Sequence, residues 1–387
     1  MFLPEHYDFS CPVKINSGNR ALEHIPFELD TLNVRKPLVI TSKDAATRGL
    51  VDIIIDAFKD SGVTIGIFDS VPPSPGLKLI RELFTIYRDR GYDAIIAIGG
   101  GPVTDTAKAL NIIVSGEPED LEGYAGDDLI KNPLKPFIFV PTLSGTGYET
   151  SRYAFFEGRA YMSHYLMPDL VVIDPRMTIA EDAKTIASIT LVALTHAVEA
   201  TTCPGKNPLA DAYAYAAIRF IMENLVNVIR NPQDGNGRLA LANAHTMAAC
   251  AFSNVEVGIV HKLGKAVGDA CRLPHGLCMG VLLPHILERQ LSEGGYYIAD
   301  LLLPLAGFDT YADTAENMKA QQAIGILNDF QNELFDVGGG AIFRTLKDGK
   351  VPKAILRDIA QKAVGNGSKG FSEDGYVMVL EQAWEGR

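Results

Sequence analysis

The chain has 387 residues, 47% of them hydrophobic and 21% charged, which is enough for about two domains with substantial cores. Its formal net charge is -12, with 35 Lys and Arg against 47 Asp and Glu and no basic run, which argues against a nucleic-acid binder. No apolar run is long enough for a membrane span, MFLPEHYDFS at the start lacks a signal-peptide pattern, and the five cysteines (Cys11, Cys203, Cys250, Cys271, Cys278) form no C-x-x-C pair. A cytoplasmic location with free thiols is therefore expected.

PLVIT (37–41) reads as a buried strand, GLVDIIIDAFKDSG (49–62) as a helix closed by Gly62, and VTIGIF (63–68) as a second strand. FDSVPPSPG (68–76) reads as a proline-rich loop, and LKLIRELFTIYRDRG (77–91) as an amphipathic helix with Leu77, Ile80, Leu83 and Tyr87 on one side. DAIIAIG (93–99), PFIFVPT (136–142) and LVVIDP (170–175) are further strands. Strands alternating with helices of these lengths predict an α/β domain with a parallel sheet covered on both faces. After Asp174–Pro175 the pattern changes to long helical periods at 187–200, 211–229 and 237–254. The expected division is an α/β domain over 1–178 and an all-α domain over 179–387. VGGGAI (337–342) and GNGSKG (365–370) read as turns.

Two stretches carry chemistry in the first half. IGGGPVTDTAKALN (98–111) places three glycines between a strand and a helix start, where backbone N–H groups can face a phosphate. It is neither a Walker A loop nor G-x-G-x-x-G. TLSGTGYE (142–149) is a second Gly/Thr-rich turn after the next strand. Paired turns of this kind are expected where an open α/β sheet holds a dinucleotide. In the second half, GIVHKLGKAVGDACRLPHG (258–276) carries His261 and His275, and TLVALTHAVEA (190–200) carries His196. Three histidines from separate segments are a common protein half of a transition-metal site with an open position. Taken singly, each reads first as a hydrogen-bonded core or surface histidine, and Cys271 and Cys278 read as small hydrophobes rather than ligands.

The motifs VPPSPG, GGGPVTDTAK, VPTLSGTGYE, PDLVVIDP, LTHAVEA, AFSN, GIVH, LPHG and VLLPHILE, in this order, resemble the iron-containing (group III) alcohol dehydrogenase family over nearly the whole chain. The resemblance implies an N-terminal dinucleotide-binding domain and an all-helical metal-binding domain, the architecture shared with dehydroquinate synthase-like enzymes. It implies hydride transfer between NAD or NADP and an alcohol or its aldehyde or ketone, with Fe(II) or Zn(II) polarising the oxygen, and a homo-oligomer, at least a dimer. Carried over by position, Gly99, Gly100, Gly101, Asp105 and Lys108 correspond to the pyrophosphate and ribose region, and Thr142 and Thr146 to the second cofactor turn. His196, His261 and His275 fall on three metal-ligand positions.

Several positions depart from the family pattern. Val192 stands where the family has an aspartate ligand, which predicts a weakened or absent metal. Glu199, one turn after His196, is a weak candidate to substitute. Lys265 stands where a histidine is common, close to the substrate. An ammonium there can polarise a carbonyl and favour an anionic substrate such as a hydroxy acid, and Arg272 could add a second cation. Ser42, followed by Lys43, stands where an aspartate often excludes the 2′-phosphate, so NADP is expected to be accepted. Pro102 removes an N–H from the phosphate turn, and Tyr148 narrows the substrate side. Two further readings stay open: a metal-independent reductase of an anionic carbonyl compound, and a non-catalytic cofactor-binding relative.

Overall fold

The computed structural model describes residues 3–116, 121–142, 150–178, 182–255, 258–295, 297–364 and 370–386. It divides into two compact units, one spanning Cys11–Ile179 and the other comprising Met1–Ser10 with Ala180–Arg387. The opening residues, expected within the α/β part, thus group with the helices: Ser10 donates its backbone N–H to Asn254 Oδ1 at 2.7 Å, and Phe9 stacks on Tyr213.

The Cys11–Ile179 unit runs β1 (Lys14–Ser17), α1 (Ile25–Thr31), β2 (Pro37–Ser42), α2 (Lys43–Thr47), α3 (Leu50–Phe58), β3 (Gly66–Val71), α4 (Leu77–Asp89), β4 (Ala94–Gly99) and α5 (Gly101–Ser115). It continues through β5 (Gly126–Asp127), β6 (Phe137–Pro141), β7 (Tyr153–Phe156), β8 (Arg159–Met162) and β9 (Leu170–Ile173). Among the described residues, a six-stranded sheet has the order β1-β9-β6-β4-β2-β3, and its recorded pairs are parallel. Central β4 is buried at every position because helices cover both faces. Ile25, Leu29, Ile54, Val39 and Ile96 fill one layer, and Ile80, Ile112, Phe156 and Leu166 belong to a separate cluster.

Two features differ from expectation. β3 begins at Gly66 and runs to Val71, so the first part of the expected proline-rich loop is strand. Burial alternates over its first four residues, as suits an edge strand next to β2, and apolar run length alone misplaces such a strand by a few residues. The antiparallel hairpin β7–β8, joined to β5 in a second small sheet, was not expected. Its strands are four residues long, too short to show a period.

The helical unit comprises α6 (Ala183–Thr202), α7 (Pro208–Arg230), α8 (Gly235–Phe252), α9 (Ile259–Cys271), α10 (His275–Ser292), α11 (Leu302–Asp313), α12 (Glu316–Val337), α13 (Leu356–Val364) and α14 (Glu373–Glu385). Asp182 caps α6, Asn207 caps α7 with Pro208 in the first turn, and Asp234 caps α8, each side chain accepting from early backbone N–H groups. Alanine at 197, 200, 214, 217, 244, 248 and 251 lets α6, α7 and α8 pack closely in one core. No helix of the described residues is long and apolar enough to cross a membrane.

Candidate active site

In the α/β unit, β2 is followed in sequence by β3 on one side of it, while β4 lies on its other side, so the strand order reverses at this point. Ligands bind open α/β sheets at such a reversal, outside the carboxyl ends of the strands. Ser42 ends β2, and Gly99 and Gly100 lead from β4 into α5. A Cβ on Gly99 would lie 2.8 Å from Val103 Cγ2, so the turn into α5 has no room for a side chain. Thr142 follows β6, with its N–H 3.5 Å from the Gly99 carbonyl. A cavity of about 370 Å³ lies beside the start of α5, lined by Pro73, Pro75, Gly101, Pro102, Asp105 and Phe155. The glycine turn, the helix start and the cavity fit a dinucleotide phosphate in kind.

Other expected cofactor residues do different work. The Ser42 hydroxyl accepts from Ala45 N–H and caps α2, which leaves its own proton free to donate. Lys108 is buried and donates from Nζ to the backbone carbonyls of Ser151 and Tyr153, each at 2.7 Å. Asp105 accepts from Phe155 N–H at 3.0 Å, and burial, opposed by this bond and by Lys108, pushes its carboxyl up to about 6. Both side chains therefore tie α5 to the 151–155 segment. Thr146 and Tyr148 lie outside the described residues.

In the helical unit, His196 on α6 and His261 on α9 come together, with Nε2 of the first 3.0 Å from Nδ1 of the second. One nitrogen must donate and the other accept. His196 is buried and stacks on Phe252 at 3.9 Å between ring centroids. Burial, reinforced by His261, holds His196 well below the usual histidine range. Burial also lowers His261 to about 4, with the charges of His275, Lys265 and Lys262 adding to the effect. Both rings are thus neutral near pH 7.

His275 does not join this pair. Its Nε2 lies 2.9 Å from Asp269 Oδ1, and Lys265 Nζ lies 2.8 Å from Asp269 Oδ2. The Lys265 hydrogen bond is the main reason why the Asp269 carboxyl sits below its ordinary value. Asp269 was missed in the sequence, although its i,i+4 spacing from Lys265 on a helix was a readable signal. Arg272 is exposed at the left-handed end of α9, with φ 55°. Glu199 is no stand-in ligand: it accepts from Val260 N–H at 2.6 Å and lies 3.4 Å from His261 N, which secures the start of α9.

A zinc or iron centre needs three or four donors on one ion. Among the described residues, no group of three His, Cys, Asp or Glu side chains is placed to hold one. His196 and His261 use ring nitrogens on each other, His275 uses one on Asp269, and Val192 packs with the helical core and offers no donor. The residues as placed do not fit the metal that the family description implies.

Comparison with known proteins agrees with the architecture. The model of the iron-containing alcohol dehydrogenases matches residues 12–175, and the model of the C-terminal part of the Fe-containing alcohol dehydrogenase family matches residues 186–373. A 4-hydroxybutyrate dehydrogenase from Cupriavidus necator is 31% identical over 282 residues, covering 69% of this chain and 73% of the relative. An NAD-dependent methanol dehydrogenase from Bacillus methanolicus is 29% identical over 304 residues, covering 76% of this chain and 80% of the relative. A crystal structure of a 1,3-propanediol oxidoreductase superposes with a TM-score of 0.87 at 27% identity, covering 98% of this chain and all of that one. The chain belongs to the iron-containing alcohol dehydrogenase family and is an alcohol dehydrogenase-like oxidoreductase.

Proposed function

We propose that the protein reduces an aldehyde or ketone that carries a carboxylate or similar anion, or oxidises the corresponding hydroxy acid, with NAD or NADP. The observation that carries this reading is the exposed Lys265 ammonium on the same helix as the neutral His261, held by Asp269 beside His275. The relative named as a 4-hydroxybutyrate dehydrogenase supports the substrate class.

The cofactor would be held by the Gly99–Gly100–Gly101 turn and the start of α5, with Ser42 and Thr142 at the neighbouring strand ends. A bound reduced nicotinamide would supply the hydride. In the carbonyl-reducing direction, a C–H bond forms at the carbonyl carbon and the C=O π pair moves to oxygen. The developing alkoxide is met by Lys265, which has donors beyond the one used on Asp269 and can deliver the proton. The reverse sequence oxidises the alcohol. Ser42 followed by Lys43 carries no carboxylate against a 2′-phosphate, so NADPH serves as well as NADH. A cytoplasmic homo-oligomer fits the family and cysteines that form no disulfide.

The test is steady-state kinetics with NADH and NADPH on neutral and carboxylated aldehydes, followed by nicotinamide absorbance. Turnover with both cofactors and a lower KM for succinate semialdehyde than for butanal is expected, with the difference lost in Lys265→Ala. Cofactor binding without turnover on any carbonyl would favour the non-catalytic reading. A large preference for NADH would overturn the NADP part.

A further inference from the structure

The two unexplained features of the helical unit coincide. Among the described residues the three expected metal donors are not gathered on one point, and a carboxylate from α9 occupies His275, which starts α10. The His275 ring is held on two sides. Its Nε2 is bonded to Asp269, and a Cβ on Gly268 would fall 2.2 Å from its Cδ2, so the ring lies directly on the α9 backbone. The second oxygen of Asp269 holds Lys265 at 2.8 Å. One carboxylate therefore hydrogen-bonds both a lysine one helical turn before it and a histidine from the start of α10.

We propose that Asp269 is the positioning residue of a metal-independent centre: it commits His275 to a carboxylate instead of a metal ion and aims Lys265 at the substrate oxygen. The inference rests on the carbonyl-reducing reading above. A Lys or His held at this distance by one shared carboxylate loses rotamer freedom before substrate arrives, which is how a positioned donor lowers a barrier. The carboxylate also offsets part of the positive charge of Lys265 and Lys262. A divalent cation would have to displace Asp269 from His275 and sit close to the Lys265 ammonium, which repels it.

The test uses the full-length native protein with Asp269→Asn, Asp269→Ala, Asp269→Glu and Gly268→Ala. Each is incubated with Co(II) without air and desalted; bound cobalt is counted, and its visible absorption is recorded. Kinetics with succinate semialdehyde are measured before and after chelator treatment. The native protein is expected to retain no cobalt and to keep its activity after chelation. Asp269→Asn should lose about 10-fold to 100-fold in kcat, the size typical of a misplaced catalytic group, with KM for NADH unchanged. Asp269→Glu should recover part of that loss, and Gly268→Ala, which displaces the His275 ring, should lower kcat in the same way. Near-stoichiometric cobalt in the native protein with chelator-sensitive turnover would overturn the inference, as would Asp269→Asn with native kcat. Either result leaves the carbonyl-reducing reading intact; absence of turnover by the native protein on every carbonyl would sink both.

Discussion

Asp105 shows how a residue chosen for one role can have another. The glycine-rich turn made it a candidate for the cofactor, yet its carboxylate accepts from Phe155 N–H, while buried Lys108 holds Ser151 and Tyr153. Burial raises its folded pKa to about 6 from the 3.8 of an unperturbed aspartate. The folded state therefore keeps a proton that the unfolded chain releases between those values. This contribution to stability is complete below the lower value and is lost as pH rises through about 6. Asp105→Asn keeps the acceptor for Phe155 and has no proton to lose. Its melting temperature relative to the native protein should therefore climb from pH 4 toward about pH 6. Thermal melts across that range check this, and a constant difference would contradict it. Histidine identity was likewise legible without its partners. That His196 and His261 pair, and that His275 turns to Asp269, depends on how α6, α9 and α10 pack, which no residue type specifies. Asp269 was within reach of the sequence, because a lysine and an aspartate four positions apart meet on any helix.

At the scale of elements, the strands with continuous apolar runs were readable, and β2, β4, β6 and β9 lie within a residue or two of expectation. The α6, α7 and α8 helices were equally visible, since each carries a long periodic segment with a side-chain cap. The β7–β8 hairpin was not, because its four-residue strands are too short to show a period; Lys108 and Asp105 hydrogen-bond to the backbone of its first strand and the residues before it. The turn from β4 into α5 is the element proposed above to hold the cofactor phosphates. Gly99→Ala would force its new Cβ into Val103 and shift the first turn of α5. We expect about 10-fold weaker NADH binding from a displaced phosphate turn, with the helical unit still folded. Fluorescence titration with NADH, alongside circular dichroism, measures both. Native affinity in a folded variant would remove this turn from the cofactor site.

For the whole molecule, the division into an α/β part and a helical part followed from a single change of period near Asp174–Pro175, and solved relatives share the architecture. What the sequence could not place was the attachment of Phe9 and Ser10, which runs through Tyr213 and Asn254, far away in the chain. The central claim is that this chain moves a hydride to a carbonyl carbon. The most direct measurement supplies NADH deuterated at both C4 positions with succinate semialdehyde and analyses the product by mass spectrometry. We predict 4-hydroxybutyrate carrying a single deuterium on its carbinol carbon. Bound NADH with no deuterium in the product, on this or any other carbonyl, would contradict the account and leave a relative that binds the cofactor without using it.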